Sequence, residues 1–268
     1  MSTVPPALRR AQILQRIRRD GGVSVADLVR DHAVSAVTVH RDLEELSREG
    51  LVERVHGGAR VRGAAMNTPI VPTAWTHRAA QARPAKAAIA ARAMRYVEHG
   101  ATIFLDASST CLALARRLMQ DPRSELTLVT NSPAIAYEIQ ADAIHVIVTP
   151  GELDQHARMI AGRWTVEFLT ELNFAVTFVS AAGVSLSQGL TTTRRPLADV
   201  VNAARASAER SIGLIDASKF GRSSLLAIAQ AQELDALVTD ADLLTATAVE
   251  YRAAGVRLEI ADALDDST

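Results

Sequence analysis

Lysine is almost missing from this 268-residue chain: Lys86 and Lys219 are the only two, set against 27 arginines. Cysteine is rarer still, and Cys111 alone excludes an internal disulfide. No Cys/His cluster has metal-ligand spacing, so neither a metal nor a cofactor is expected. Aromatic residues make up 4% of the chain, so its cores are built from Val, Leu, Ile and Ala. No run approaches the roughly 18 apolar residues of a membrane span, and the first residues lack an apolar stretch followed by a small-residue cleavage site. A cytoplasmic location is the expectation. An excess of either charge is lacking too, since the formal net charge is −1.

That balance hides an asymmetry. Residues 1–62 hold eleven arginines against eight acids, a net +3, while the remainder carries −4. A basic front on a neutral body fits a small nucleic-acid-binding head. Within it, Leu8, Ala11, Ile13, Leu14 and Ile17 recur at helical spacing until Asp20-Gly21-Gly22 stops the helix. Ser24 with Asp27 has capping-box spacing and opens a second, short helix. After a turn at His32-Ala33-Val34, Ser35 caps a third helix running to about Glu49. Its buried stripe is Val39, Leu43 and Leu46, which turns Thr38, His40 and Arg41 outward. Two helices joined so tightly are a helix-turn-helix, whose second helix enters the major groove. Leu51–Val55 and Ala59–Val61 flank His56-Gly57-Gly58 as a hairpin wing that can lay Arg54, His56 and Arg60 against phosphates. Asp42, an acid that repels phosphate, is expected to pair within the protein. The competing reading is a three-helix packing module with a solvated arginine face.

Val34-Ser35, Thr38-Val39-His40-Arg41-Asp42-Leu43, Leu46, Glu49-Gly50-Leu51 and above all Arg54-Val55-His56-Gly57-Gly58-Ala59 resemble the DeoR family of bacterial transcriptional regulators. The DNA-binding residues so indicated are Ser35, Val37, Thr38, His40 and Arg41 on the third helix, with Arg54, His56, Gly57 and Arg60 on the wing. The family usually carries two arginines where this chain has His40-Arg41, a change that weakens a phosphate contact or makes it pH-dependent.

The domains expected are a winged helix-turn-helix over 1–62, a linker over 63–83 punctuated by Gly63, Pro69 and Pro72, and an α/β domain over 84–268. In the last, strands are expected at Ala101–Asp106, Leu126–Asn131, His145–Thr149, Ala175–Ala181, Ser211–Asp216, Leu225–Ala229, Ala236–Thr239 and Val256–Ile260. Helical patterns alternate with many of them, which argues a mostly parallel sheet. Ligands in such sheets bind beyond the strands' carboxyl ends. Those ends hold Asp106, Ser108, Ser109 and Thr110, then Thr130-Asn131-Ser132, Gly151, Gly183 and Lys219, which together read as one effector pocket with a phosphate cradle at a helix start. The scarcity of lysine singles out Lys219, where a compact ammonium on a flexible stem is useful.

The same resemblance continues through Asp106 to Thr110, Thr130-Asn131-Ser132, Gly189-Leu190-Thr191-Thr192, Asp216 to Gly221 and Thr239-Asp240. It implies a sensor domain similar in fold to ribose-5-phosphate isomerases, which binds a phosphorylated sugar or related metabolite and releases the operator. Ser108 stands where glycine is usual, Pro150-Gly151 replaces Gly-Gly, and Leu197 and Val201 replace Glu and Lys. The function expected is a repressor of a carbohydrate operon, bound to double-stranded operator DNA as a dimer or tetramer. The alternatives are a sugar-phosphate isomerase carrying a DNA-binding head, which apolar Leu197 counts against, and a regulator that no longer binds a ligand.

Overall fold

The computed structural model describes residues 5–20, 22–32, 34–55, 58–61, 74–121 and 125–262. The chain divides into two compact units, Met1–His77 and Arg78–Thr268.

In the first unit, α1 (Pro6–Asp20), β1 (Gly22–Ser24), α2 (Val25–His32), α3 (Ala36–Arg48), β2 (Val52–Val55) and β3 (Gly58–Val61) follow in order. Ile13, Ile17, Leu28, Val39, Leu43 and Leu46 meet Val52 and Ala59 in one core. The expected stripe of α3 is therefore the buried one. Of the residues that recur at helical spacing in the first helix, Ile13 and Ile17 are buried and Leu14 partly so, while Leu8 and Ala11 are exposed. Ser24 starts α2 by accepting from the Asp27 amide at 3.1 Å, and its hydroxyl donates to the Asp27 carboxylate at 2.7 Å. β1 is an addition to the expected elements. It pairs antiparallel with β3, which makes the wing three-stranded.

α4 (Ala74–Ala80) lies inside the stretch read as linker; the first part of that stretch, to residue 73, lies outside the described residues. The body then runs α5 (Arg83–Ala93), β4 (Thr102–Leu105), α6 (Ser109–Gln120), β5 (Leu126–Thr130), α7 (Pro133–Glu138), β6 (Ile144–Val148), β7 (Glu152–Asp154), β8 (Met159–Ala161), α8 (Arg163–Thr170) and β9 (Val176–Val179). It continues through β10 (Gly183–Ser185), β11 (Gly189–Thr192), α9 (Arg195–Ala206), β12 (Ser211–Leu214), β13 (Leu226–Ala229), β14 (Ala236–Thr239), α10 (Thr245–Ala253) and β15 (Leu258–Ile260). Seven strands form one sheet in the order β15-β14-β12-β9-β4-β5-β6, and every pairing in it is parallel. β9, β12 and β14 are buried along their whole length, which is why they read as apolar runs without alternation.

The strand read at Leu225–Ala229 exists but belongs elsewhere. As β13 it pairs antiparallel with β11, in a separate sheet with β10. From β4 the chain builds outward through β5 and β6, and from β9 it builds the other way through β12, β14 and β15. The switch point therefore falls between β4 and β9, where a parallel sheet opens a crevice at its carboxyl edge. No helix of the described residues is long and apolar enough to cross a membrane.

Candidate DNA interface and effector cleft

In the head, Ser35 has extended backbone and its hydroxyl accepts from the Thr38 amide at 3.2 Å, capping α3. Its oxygen also lies 2.9 Å from the Thr38 hydroxyl. Val37, 77% exposed, and Arg41 are one helical turn apart on the outward face, so an apolar tip and a guanidinium project together. Arg41 makes no hydrogen bond or ion pair among the described residues. Asp42, by contrast, faces inward and is gripped by Arg9, Nε to Oδ2 at 2.6 Å and Nη2 to Oδ1 at 3.3 Å. Arg54 in β2 reaches across to α3, donating to the His40 carbonyl at 3.1 Å and to His40 Nδ1 at 2.9 Å. A guanidinium only donates, so that ring nitrogen accepts and the outer edge of the imidazole is left for another partner. The wing and the recognition helix are thus joined at this pair of residues. Arg60 lies in β3, opposite Gly22 and Glu53; His56 and Gly57 lie outside the described residues.

In the body, a cleft of about 100 Å³ opens at the switch point. The loop after β4 supplies Asp106, Ser108 and Ser109, the loop after β9 supplies Ser180 to Ala182, and Lys219 follows β12. Asp106 closes the floor: Oδ1 accepts from the Ser108 amide at 2.9 Å and Oδ2 from the Ser180 amide at 2.7 Å. One buried carboxylate thereby fastens the two loops on either side of the switch. Ser108 caps α6 by accepting from the Cys111 amide at 3.0 Å, and Ser109, whose amide at the helix start has no intrahelical partner, lines the cleft.

Lys219 lies 3.3 Å from the Ser180 hydroxyl and 3.5 Å from Asp216 Oδ2. Burial pushes the Lys219 ammonium below its ordinary range, with Arg78 adding and Asp216 opposing. Burial alone raises the Asp216 carboxyl, but Lys219, Ser218 and Lys86 together hold it below the usual carboxylate range. Two arginines complete the ring of cations. Arg194 is paired with Asp154 of β7 at 2.6 Å, and Asp154 also caps the turn that brings Ala157 to the cleft. Arg78 is half-buried and has no acidic partner within ion-pair distance among the described residues. Burial depresses it from its ordinary value, the field of Asp106 opposing and that of Arg194 adding. Leu197, Met159 and Ala157 form an apolar wall.

Of the residues read from sequence, Asp106, Ser108, Ser109 and Lys219 come together here. The other six do not line the cleft, each for a local reason. Thr110 is buried in the first turn of α6. The Thr130 hydroxyl donates to the Leu105 carbonyl and accepts from the Ser132 amide. Asn131 binds the Ile160 carbonyl through its amide at 2.9 Å, pinning β8, and Ser132 caps α7. Gly151 packs on Thr165 and Ala161, and Gly183 on the Arg222 backbone. Sequence reasoning left out Arg78, Ser180, Thr192, Arg194 and the apolar wall. The signals were available in part: Leu197 stood out as an apolar position where the family carries Glu, but Arg78 lies on α4, ahead of every strand of the large sheet, where no strand-end pattern points to it. Among the described residues no group of acids, histidines or cysteines is arranged to hold a metal.

Residues 9–63 match the family model described as a DeoR-like helix-turn-helix domain, and residues 81–241 match the DeoR C terminal sensor domain. The HTH-type transcriptional regulator GlpR of Haloferax volcanii is 30% identical, over 94% of this chain and 96% of that protein. The Transcriptional repressor AccR of Agrobacterium fabrum is 31% identical over 88% and 90%, and the Glycerol-3-phosphate regulon repressor of Escherichia coli 28% over 85% and 88%. Among solved structures, ribose 5-phosphate isomerase A of Methanocaldococcus jannaschii matches at 19% identity and a TM-score of 0.38, over 50% of this chain and 53% of that one. With a DNA-binding head and a sensor body matched in order along one chain, the protein belongs to the DeoR family of helix-turn-helix transcriptional regulators.

Proposed function

We propose that the protein represses a carbohydrate-metabolism operon and that a phosphorylated sugar or related small metabolite, bound in the body cleft, releases it from the operator. One observation carries the reading: Arg78, a half-buried guanidinium without an acidic partner among the described residues, lines a cleft with Lys219 and the start of α6. A partly buried cation calls for an anion, and helix-start amides with serine hydroxyls are the usual complement of a phosphate. The cleft of about 100 Å³ lies well below the roughly 300–1,000 Å³ of drug-sized sites, which favours a short metabolite. The names of two relatives, a repressor of a glycerol-3-phosphate regulon among them, support repression.

On DNA, Val37, Thr38, His40 and Arg41 face the major groove, with Arg54 and Arg60 at the wing. A helix-turn-helix reads paired half-sites, so the working form is a dimer or tetramer. The test is a panel of three- to six-carbon phosphate monoesters, scored by melting temperature and by release of bound DNA. The reading expects at least one compound to raise the melting temperature, remain chemically unchanged and release DNA. Turnover of a compound, or no response to any, contradicts it.

A further inference from the structure

Arg78 reaches the cleft from an elbow in the chain. α4 ends at Ala80 and α5 begins at Arg83, and Ala82 between them has φ 49, a left-handed conformation that a non-glycine residue holds only when its surroundings impose it. The first turn of α5 carries the imposing group. The Lys86 ammonium turns back and donates to the carbonyl oxygens of Arg78 and of Gln81, the latter at 2.7 Å. These carbonyls belong to the last turn of α4 and the residue after it, where no intrahelical donor is available. Lys86 is 5% exposed and has no carboxylate within ion-pair distance among the described residues. A buried ammonium satisfied by backbone carbonyls needs a compact head on a flexible stem, which a guanidinium does not offer. That accounts for a lysine in a chain that otherwise uses arginine.

We propose that Lys86 is the positioning residue of the effector cleft: by clamping the Arg78 and Gln81 carbonyls it fixes the elbow from which Arg78 meets the ligand. The inference rests on the reading that the cleft takes an anion. Arg78 is also the first residue of the second compact unit. A ligand that engages it therefore acts on the chain where it enters the body. The groups facing Lys86 support the link. Burial brings its ammonium down to about 8, Asp216 opposing, with Lys219 and Arg78 adding. An anion between Arg78 and Lys219 offsets the field of both cations, so filling the cleft raises Lys86 and favours its protonated form. The sign is fixed: ligand binds tightest where Lys86 is charged, and affinity falls as pH rises past about 8.

The chain's two lysines make this measurable in the full-length protein. With lysine labelled with carbon-13 at the ε carbon, two signals appear, and Lys86→Met removes one and assigns both. The probes are the phosphate monoesters above and inorganic phosphate. The Lys86 signal of the parent is expected to titrate near 8 and to move upward when probe is added. Lys86→Met and Arg78→Met are each expected to weaken the probe by about ten- to a hundredfold, one charge-assisted hydrogen bond's worth. The double variant is expected to bind no more weakly than Arg78→Met alone, because Lys86 acts through Arg78. If Lys86→Met does not fold, Lys86→Gln, which keeps a donor on a shorter stem, is expected to show the same coupling at a smaller loss. Losses that multiply in the double variant, an unmoved Lys86 signal, or a Lys86 variant that binds like the parent overturn the proposal. If Lys219→Met weakens the probe while the Lys86 variants do not, the sensing reading stands and this inference fails. If the parent binds no probe, both fail.

Discussion

Asp42 and Arg41 are neighbours with opposite fates, and the helical stripe decides which is which. Val39, Leu43 and Leu46 set the buried side of α3, and Asp42 falls near it while Arg41 falls outside. The inward direction of Asp42 is legible from that stripe. Its partner Arg9 is not, because the two are 33 residues apart and only packing of α1 on α3 brings them together. Asp42→Ala leaves a buried guanidinium without its carboxylate and should lower stability by roughly 3 kcal/mol, read by chemical denaturation. Arg41→Ala should leave stability near the parent's and weaken operator binding by ~1–3 kcal/mol if it reads a base edge, with relaxed preference at that position. If Arg41 holds only phosphate, affinity should fall evenly across sequences and the salt slope should drop by about one. The His40 expectation changes form. Arg54 occupies Nδ1, so a phosphate contact by His40 has to use the other edge of the ring, a coupling between residues 14 apart that no sequence pattern announces.

At the scale of elements, the parallel strands are readable because β9, β12 and β14 are apolar runs bounded by polar strand ends. The three-residue strands β1, β7, β8 and β10 are too short on their own to show a period of two and are absent from the expected strands, whereas the equally short β15 ends the alternating Val256–Ile260. That loss matters for the site, since the β7–β8 hairpin delivers Ala157, Met159 and the acid that pairs with Arg194. The Thr130-Asn131-Ser132 segment does stand at a strand end, but the Thr130 hydroxyl, the Asn131 amide nitrogen and the Ser132 hydroxyl serve the Leu105 and Ile160 carbonyls and the α7 cap. Polarity at a strand end does not distinguish a ligand contact from a loop fastener; only the partner of each hydrogen bond does. Gly189 offers a test of the small sheet. It has φ 64, and a Cβ there meets the Ala229 carbonyl oxygen at 2.0 Å. Gly189→Ala should therefore push β11 from β13 and lower stability by about 2 kcal/mol or more in urea unfolding. A variant as stable as the parent contradicts the pairing of β11 with β13.

Across the whole molecule, a net charge of −1 conceals a basic head and an acidic remainder, a division that the order of residues alone displays. The origin of the cleft's cations is not displayed there. Arg78 lies on α4 at the start of the second unit and Lys219 after β12, separated by most of the body's sequence; the strand order places Lys219 at the crevice, and Arg78 comes to it from the α4–α5 elbow. An anion in this crevice is proposed to control DNA binding. That claim is tested most directly by anisotropy of a labelled operator duplex, selected from random sequences with the parent protein and titrated with the phosphate monoester that most raises its melting temperature. The parent should release the duplex, and Lys219→Met, confirmed folded by its thermal melt, should need about ten- to a hundredfold more ligand. Release of both proteins at the same ligand concentration would contradict the claim, because the cleft would then not be where the signal is read.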